Sequence, residues 1–122
     1  MFYQLLISHF IFDYGKALTP SMIRDKSIGK PGWPIALHAL LHSLGVAIVL
    51  LLNLVSLKLV VSLAFFEFIT HFGIDVFKGK IEKAFQSLKD PKNPYHWHLF
   101  QIDQFLHLTI KYVISIIALS TL

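Results

Sequence analysis

The sequence predicts an all-α fold: a polytopic transmembrane bundle of four helices, the first short or tilted and the other three spanning. Hydrophobic residues make up 55% of the 122 positions and charged residues only 15%, too little charge to clothe a soluble helical domain of this size. The apolar residues fall into four long runs, and the run from Pro34 to Leu57 carries no formal charge at all, as a bilayer-crossing helix requires. Clusters of Gly, Pro and charged residues separate the runs.

The first helix is expected over about residues 2–18, FYQLLISHFIFDYGKAL. It is short for a bilayer core of about 30 Å and should end near Thr19-Pro20, because proline restricts the residue before it. SMIRDKSIGKPGWP follows as a connection. Pro34 then suits the first turn of a second helix, over about 34–56. A tight turn leads into the third, over about 59–88, apolar to Phe77 and amphipathic through KIEKAFQSL. Asp90-Pro-Lys-Asn-Pro94 ends it, since two prolines in five residues cannot continue a helix. The fourth helix occupies about 96–121. No internal repeat or low-complexity stretch divides residues 1–122, which read as one integral membrane domain.

Cysteine is absent, which removes disulfides, thiolate metal ligands and cysteine nucleophiles. The amino-terminal run has no basic flank and contains His9 and Asp13, unlike a cleaved signal. The net charge of +4 is concentrated in Lys16–Lys30 and Lys78–Lys92, beside apolar runs, which suits anionic lipid head groups; no nucleic-acid module is present. The positive-inside rule places both of these connections in the cytoplasm and both termini outside. Lys111, inside the last helix, must snorkel, pair or face a cavity.

Each apolar helix carries a polar pair at a spacing of four: His9 with Asp13, His38 with His42, His71 with Asp75, and Asp103 with His107. Residues four apart share one helix face. The antiparallel order brings all eight to one level, one to two turns from the charged connections. Five imidazoles and three carboxylates exceed the needs of one four-coordinate ion and suit one or two divalent ions sharing a carboxylate, zinc first, with iron or manganese also accommodated. Inward-facing pairs on adjacent helices are also how helical bundles build carboxylate-bridged metal sites. The competing readings are a metal-free network in which carboxylates orient histidines, and a proton or cation pathway.

Glu67 lies on the face of His71 and Asp75, as a bridging ligand, a general base or a structural hydrogen-bond partner. Lys78, three residues after Asp75, is either an anion holder or an interface anchor, and Lys16 raises the same question. Gln104 suits a supporting bond to a histidine or to a neighbouring helix. His96 and His98 flank Trp97 as an interfacial belt.

The motifs HFIFDYGKAL at His9–Leu18, ALHALLH in the second helix, FITHFGIDVFKGKI at Phe68–Ile81 and FQIDQFLH at Phe100–His107 resemble a bacterial and phage inner-membrane family catalogued as domain of unknown function 3307. The resemblance covers nearly the whole chain and implies a multi-pass protein of the bacterial inner membrane, without naming a reaction. Site design is similar, by analogy only, to membrane-bound metal-dependent hydrolases and the helical zinc-dependent phospholipases C. The resulting expectation is a metal-dependent hydrolase of a phosphoester, a lipid head group or a small phosphorylated molecule, with Glu67 and Lys78 as catalytic residues. The alternative is a non-enzymatic module: a metal or proton carrier, or a partner-binding protein with a hydrogen-bonded His/Asp core. Four helices enclose little volume, so a homodimer is a further expectation.

Overall fold

A computed structural model describes all residues 1–122. It is all-helical, with α1 (Phe2–Tyr14), α2 (Pro20–Ile28), α3 (Trp33–Leu52), α4 (Leu57–Ala84), a 3-10 turn (Gln86–Lys89) and α5 (Pro94–Leu119). Three of these, α3, α4 and α5, are long and apolar enough to cross a membrane. At about 1.5 Å per residue, the 20 residues of α3 reach about 30 Å. The 13 residues of α1 reach only about 20 Å.

Five helices rather than four therefore form the fold, and the additional one lies where a connection was expected. Its boundaries have local causes. Thr19 accepts from the Met22 backbone N–H at 3.3 Å, Pro20 occupies the first turn, and Gly29 closes the helix in the left-handed region at φ 61°. Its sequence is too polar to announce itself as a core helix, but its last turn is pressed onto α4. A Cβ on Gly79 of α4 would lie 2.0 Å from the Lys26 carbonyl oxygen and 2.2 Å from the Gly29 nitrogen. The first helix also stops earlier than expected, at Tyr14, with Gly15 extended. Likewise α4 stops at Ala84 and gives way to the 3-10 turn. Asn93 caps α5 by accepting from the Tyr95 N–H at 3.0 Å.

The bundle has two chemically distinct ends. Around the α3–α4 turn, Leu5, Val46, Leu50, Val55, Val60, Leu63 and Ile114 form a dry apolar core. The start of α1 reaches this level, where Asn53 donates to the Gln4 side chain at 2.7 Å. Toward the opposite end, the buried side chains are mostly His, Asp and Glu. Meanwhile Leu44, Ile48, Phe65, Ile69, Phe105 and Ile116 lie exposed on the outside. A polar centre inside an apolar exterior inverts the pattern of water-soluble proteins and points to membrane association.

Candidate metal centre

All eight paired residues meet inside the polar end. His9, His38, His42, His71, Asp75 and His107 are at most 2% exposed, Asp103 is 5% and Asp13 is 8%. Each i, i+4 pair presents both members inward because α1, α3, α4 and α5 turn that face to the bundle axis.

Asp13 and Asp75 organise the cluster. Asp13 Oδ1 lies 3.2 Å from His38 Nε2 and 3.3 Å from His42 Nε2. Asp75 Oδ2 lies 3.6 Å from His71 Nε2 and 3.7 Å from His38 Nε2, while its Oδ1 lies 3.5 Å from His107 Nε2. The rings are layered, with His42 stacked on His71 at 3.8 Å between centroids and His71 against His107 at 4.1 Å. Two sets of ligand atoms converge closely enough to hold an ion: Asp13, His38, His42 and His71, and then His71, Asp75 and His107.

The residues present fit a divalent ion. Asp13 Oδ1, both oxygens of Asp75, His42 Nε2 and His71 Nε2 are buried yet have no hydrogen-bond partner. Buried polar atoms are rarely left so. Ligands about 2.0–2.1 Å from a tetrahedral zinc stand about 3.3 Å from one another, matching the 3.2 and 3.3 Å separations around Asp13 Oδ1. His71 belongs to both sets, but its Nε2 has one lone pair and could serve only one ion; the other set would keep Asp13, His38 and His42, or Asp75 and His107.

His9 and Asp103 stand one step outside these sets. His9 Nε2 donates to Gln104 Oε1 at 3.3 Å, and Gln104 Nε2 donates at 3.3 Å to Asp13 Oδ2 and to Asp103 Oδ2. Gln104 thus ties α1 to α5 and orients both carboxylates. Asp103 Oδ1 lies 3.4 Å from His107 Nε2.

Glu67 lies behind His71. His71 Nδ1 donates to Glu67 Oε1 at 3.1 Å, which leaves Nε2 facing Asp75, and the same carboxylate oxygen accepts from Lys111. Glu67 lines no cavity. Lys111 therefore pairs rather than snorkels. Lys78 is half-buried at the cluster's edge, 3.7 Å from both Glu82 Oε1 and Asp103 Oδ2. Lys16 is exposed. His96 and Trp97 are engaged elsewhere: the His96 ring bonds to the Leu88 carbonyl oxygen at 2.6 Å and Trp97 Nε1 donates to that of Pro91 at 2.9 Å.

Lys26 is the member that sequence reading treated only as a flanking charge. From the last turn of α2 its Nζ donates to His38 Nε2 at 3.1 Å and stands 3.3 Å from Asp75 Oδ1 and 3.6 Å from Asp13 Oδ1. Burial alone would lower its pKa, but the charges of Asp75, Asp13 and Asp103 outweigh that and raise it above the ordinary lysine value. The Thr19-Pro20…Gly29 capping pattern was the available signal for a helix that could carry it. Lys26, Ser27, Asp75 and Lys78 line a cavity of about 210 Å³ between α2 and α4.

A family model described as protein of unknown function (DUF3307) matches residues 1–122, the whole chain. No curated protein and no solved structure matches it.

Proposed function

We propose that this chain, which belongs to the family described as protein of unknown function (DUF3307), is a membrane-embedded hydrolase of phosphoesters that depends on one or two divalent ions, zinc first, in its His/Asp cluster. The observation that carries the reading is Asp13 Oδ1, buried without a hydrogen bond between two imidazole nitrogens at the edge length of a tetrahedral site. Asp13, His38, His42, His71, Asp75 and His107 are the proposed ligands. His9, Gln104 and Asp103 hold them in place. An ion held by these residues would supply Lewis acidity to the phosphoester and to water near neutral pH.

The remaining chemistry belongs to the chain. Lys26 and Lys78 hold the anionic group of the substrate in the cavity that reaches Asp75. Glu67 acts through His71: its carboxylate fixes the Nδ1–H tautomer and so aims Nε2 at the site. Lys111 balances its charge. On this reading the protein lies in the bacterial inner membrane, as its family resemblance implies, with the lysine-rich connections in the cytoplasm and both termini outside, an orientation that the charge asymmetry supports. The cavity beside Lys26 then opens toward the cytoplasmic interface.

A second reading has its own observation. The Lys26 ammonium lies within 3.1–3.6 Å of His38, Asp75 and Asp13, the position of a cation among these ligands, so a metal-free core held by Lys26 is the non-enzymatic alternative. Elemental mass spectrometry on untagged protein in mild detergent separates the two, using wild type and a His71→Ala, Asp75→Ala variant. One or two equivalents of a divalent ion, lost in the folded variant, support the metal reading. A folded wild type with no stoichiometric metal, never exposed to chelator, sinks it.

A further inference from the structure

Two cavities meet at Lys78. The polar one, about 210 Å³ between α2 and α4, is lined by Lys26, Ser27, Asp75 and Lys78 among others. The second, about 240 Å³, runs between α4 and α5 and is walled by Ile74, Phe77, Ile81, Leu99, Ile102 and Leu106, with Lys78 and Asp103 at its polar edge. Lys78 is the one residue common to both. Each cavity also touches one carboxylate of the His/Asp cluster, Asp75 in the first and Asp103 in the second.

The state of Lys78 makes this junction informative. Its Nζ is 3.7 Å from Glu82 and from Asp103, too far for a hydrogen bond, and it donates to no other protein group. Its charge is shared by these two carboxylates at ion-pair distance, Glu82 also lining the polar cavity, while its donors stay free of hydrogen bonds and can reach an anionic oxygen in either cavity. The groove beside it has the opposite character. Phe77 and Ile102, at its rim, are 64% and 56% exposed on the apolar exterior, so its mouth faces the surroundings of the bundle rather than its axis. A small water-soluble phosphoester would use the first cavity and leave the second empty. An amphiphile with an anionic head uses both, and an alkyl chain along the groove removes apolar surface on both partners.

We propose that the substrate class of the metal centre is an anionic phospholipid, which enters sideways between α4 and α5, lays an acyl chain against Ile74, Phe77, Ile102 and Leu106, and places its phosphate on Lys78 beside Asp75. The proposal rests on the hydrolase reading for the word substrate, but the binding geometry stands on the two cavities alone. Ser27 and Lys26 extend the head-group contact from α2.

Native mass spectrometry of the full chain in detergent tests it, with phosphatidic acid, phosphatidylcholine and inorganic phosphate as probes and metal content read from the same preparations. Phosphatidic acid is expected to bind at least about ten-fold more tightly than phosphatidylcholine, equivalent to about 1.4 kcal/mol. Lys78→Gln should abolish that preference, and Ile102→Trp, which fills the groove from an exposed position, should weaken phosphatidic acid without loss of fold. Equal binding of the two lipids overturns the proposal, as does inorganic phosphate displacing phosphatidic acid at equal concentration or indifference to Ile102→Trp. A dimer that excludes lipid also overturns it, because a second copy then occupies the groove. Selective binding by a metal-free protein would retain the lipid site and remove the hydrolase; metal without lipid preference would do the reverse.

Discussion

Lys111 on α5 donates to Glu67 on α4 with both side chains 1% exposed, joining the two helices by an ion pair within the bundle. Glu67 also accepts from His71, while its other oxygen has no partner. Breaking such a pair by removing one member typically costs about 3–5 kcal/mol, because the survivor is a buried, uncompensated charge. Lys111→Met and Glu67→Leu should each lower the thermal unfolding midpoint in detergent. The Lys111→Met, Glu67→Leu double variant should recover much of that loss, since no charge is then stranded. A double variant as unstable as the sum of the singles would show that the pair does not act as a unit.

Glu67 also sets the tautomer of His71, which gives a second prediction, read as metal affinity in folded protein because Glu67→Gln also removes the counter-charge of Lys111. Glu67→Gln keeps the shape and can still accept from Nδ1–H, but it removes the charge that strengthens the imidazole as a donor of its lone pair. Loss of such supporting carboxylates usually weakens metal binding about 10–100-fold. Competition with a chelating dye should read this directly. Unchanged metal affinity combined with abolished turnover would instead assign Glu67 to proton transfer.

The crossing of α2 on α4 depends on Gly79, where a Cβ would press on the backbone of Lys26 and Gly29. Gly79→Ala should lift the end of α2 and withdraw the Lys26 ammonium from Asp75. Gly29→Ala acts at the same junction twice over: φ 61° costs a residue with a side chain about 1–2 kcal/mol, and its Cβ would lie 2.4 Å from the Lys80 nitrogen and 2.5 Å from the Val76 carbonyl oxygen of α4. Amide hydrogen exchange should rise in residues 20–29 of both variants while α3 and α5 stay protected. Unaltered protection over α2 would mean that its seat does not depend on the close approach.

The long helices and the polar level were legible because both rest on local periodicity. Pairs such as His71 and Asp75 declare a common face by spacing alone, and an antiparallel chain must bring the faces to one height. The seat of α2 was not legible in that way, because it rests on a contact between Gly29 and Gly79, fifty residues apart. Lys26 was hidden for the same reason: a lysine on a charged segment reads as a solvated anchor until the segment is folded onto the cluster. Glu67 and Lys111 each continue an inward face, four residues from His71 and from His107 respectively, so their burial was legible from spacing; that the two meet each other across α4 and α5 is a packing outcome.

Lys26 provides the sharpest division between the two readings of the cluster. Its ammonium uses the His38 Nε2 lone pair that a metal ion would need, at 3.1 Å. An ion and this ammonium therefore compete for His38, and two cations about 4 Å apart repel by several kcal/mol before solvent screening. Under the metal reading, Lys26→Met should tighten divalent-ion binding, by roughly ten-fold or more once screening is allowed for, and should weaken binding of phosphate-bearing ligands in the cavity beside it. Under the metal-free reading the same change removes the cation that neutralises Asp13 and Asp75, and the variant should lose stability with no gain in metal affinity. Isothermal titration with zinc, paired with thermal unfolding of the metal-free protein, distinguishes these outcomes in one preparation. Tighter zinc binding in a folded variant assigns the cluster to metal; collapse of the metal-free variant without tighter binding assigns it to Lys26.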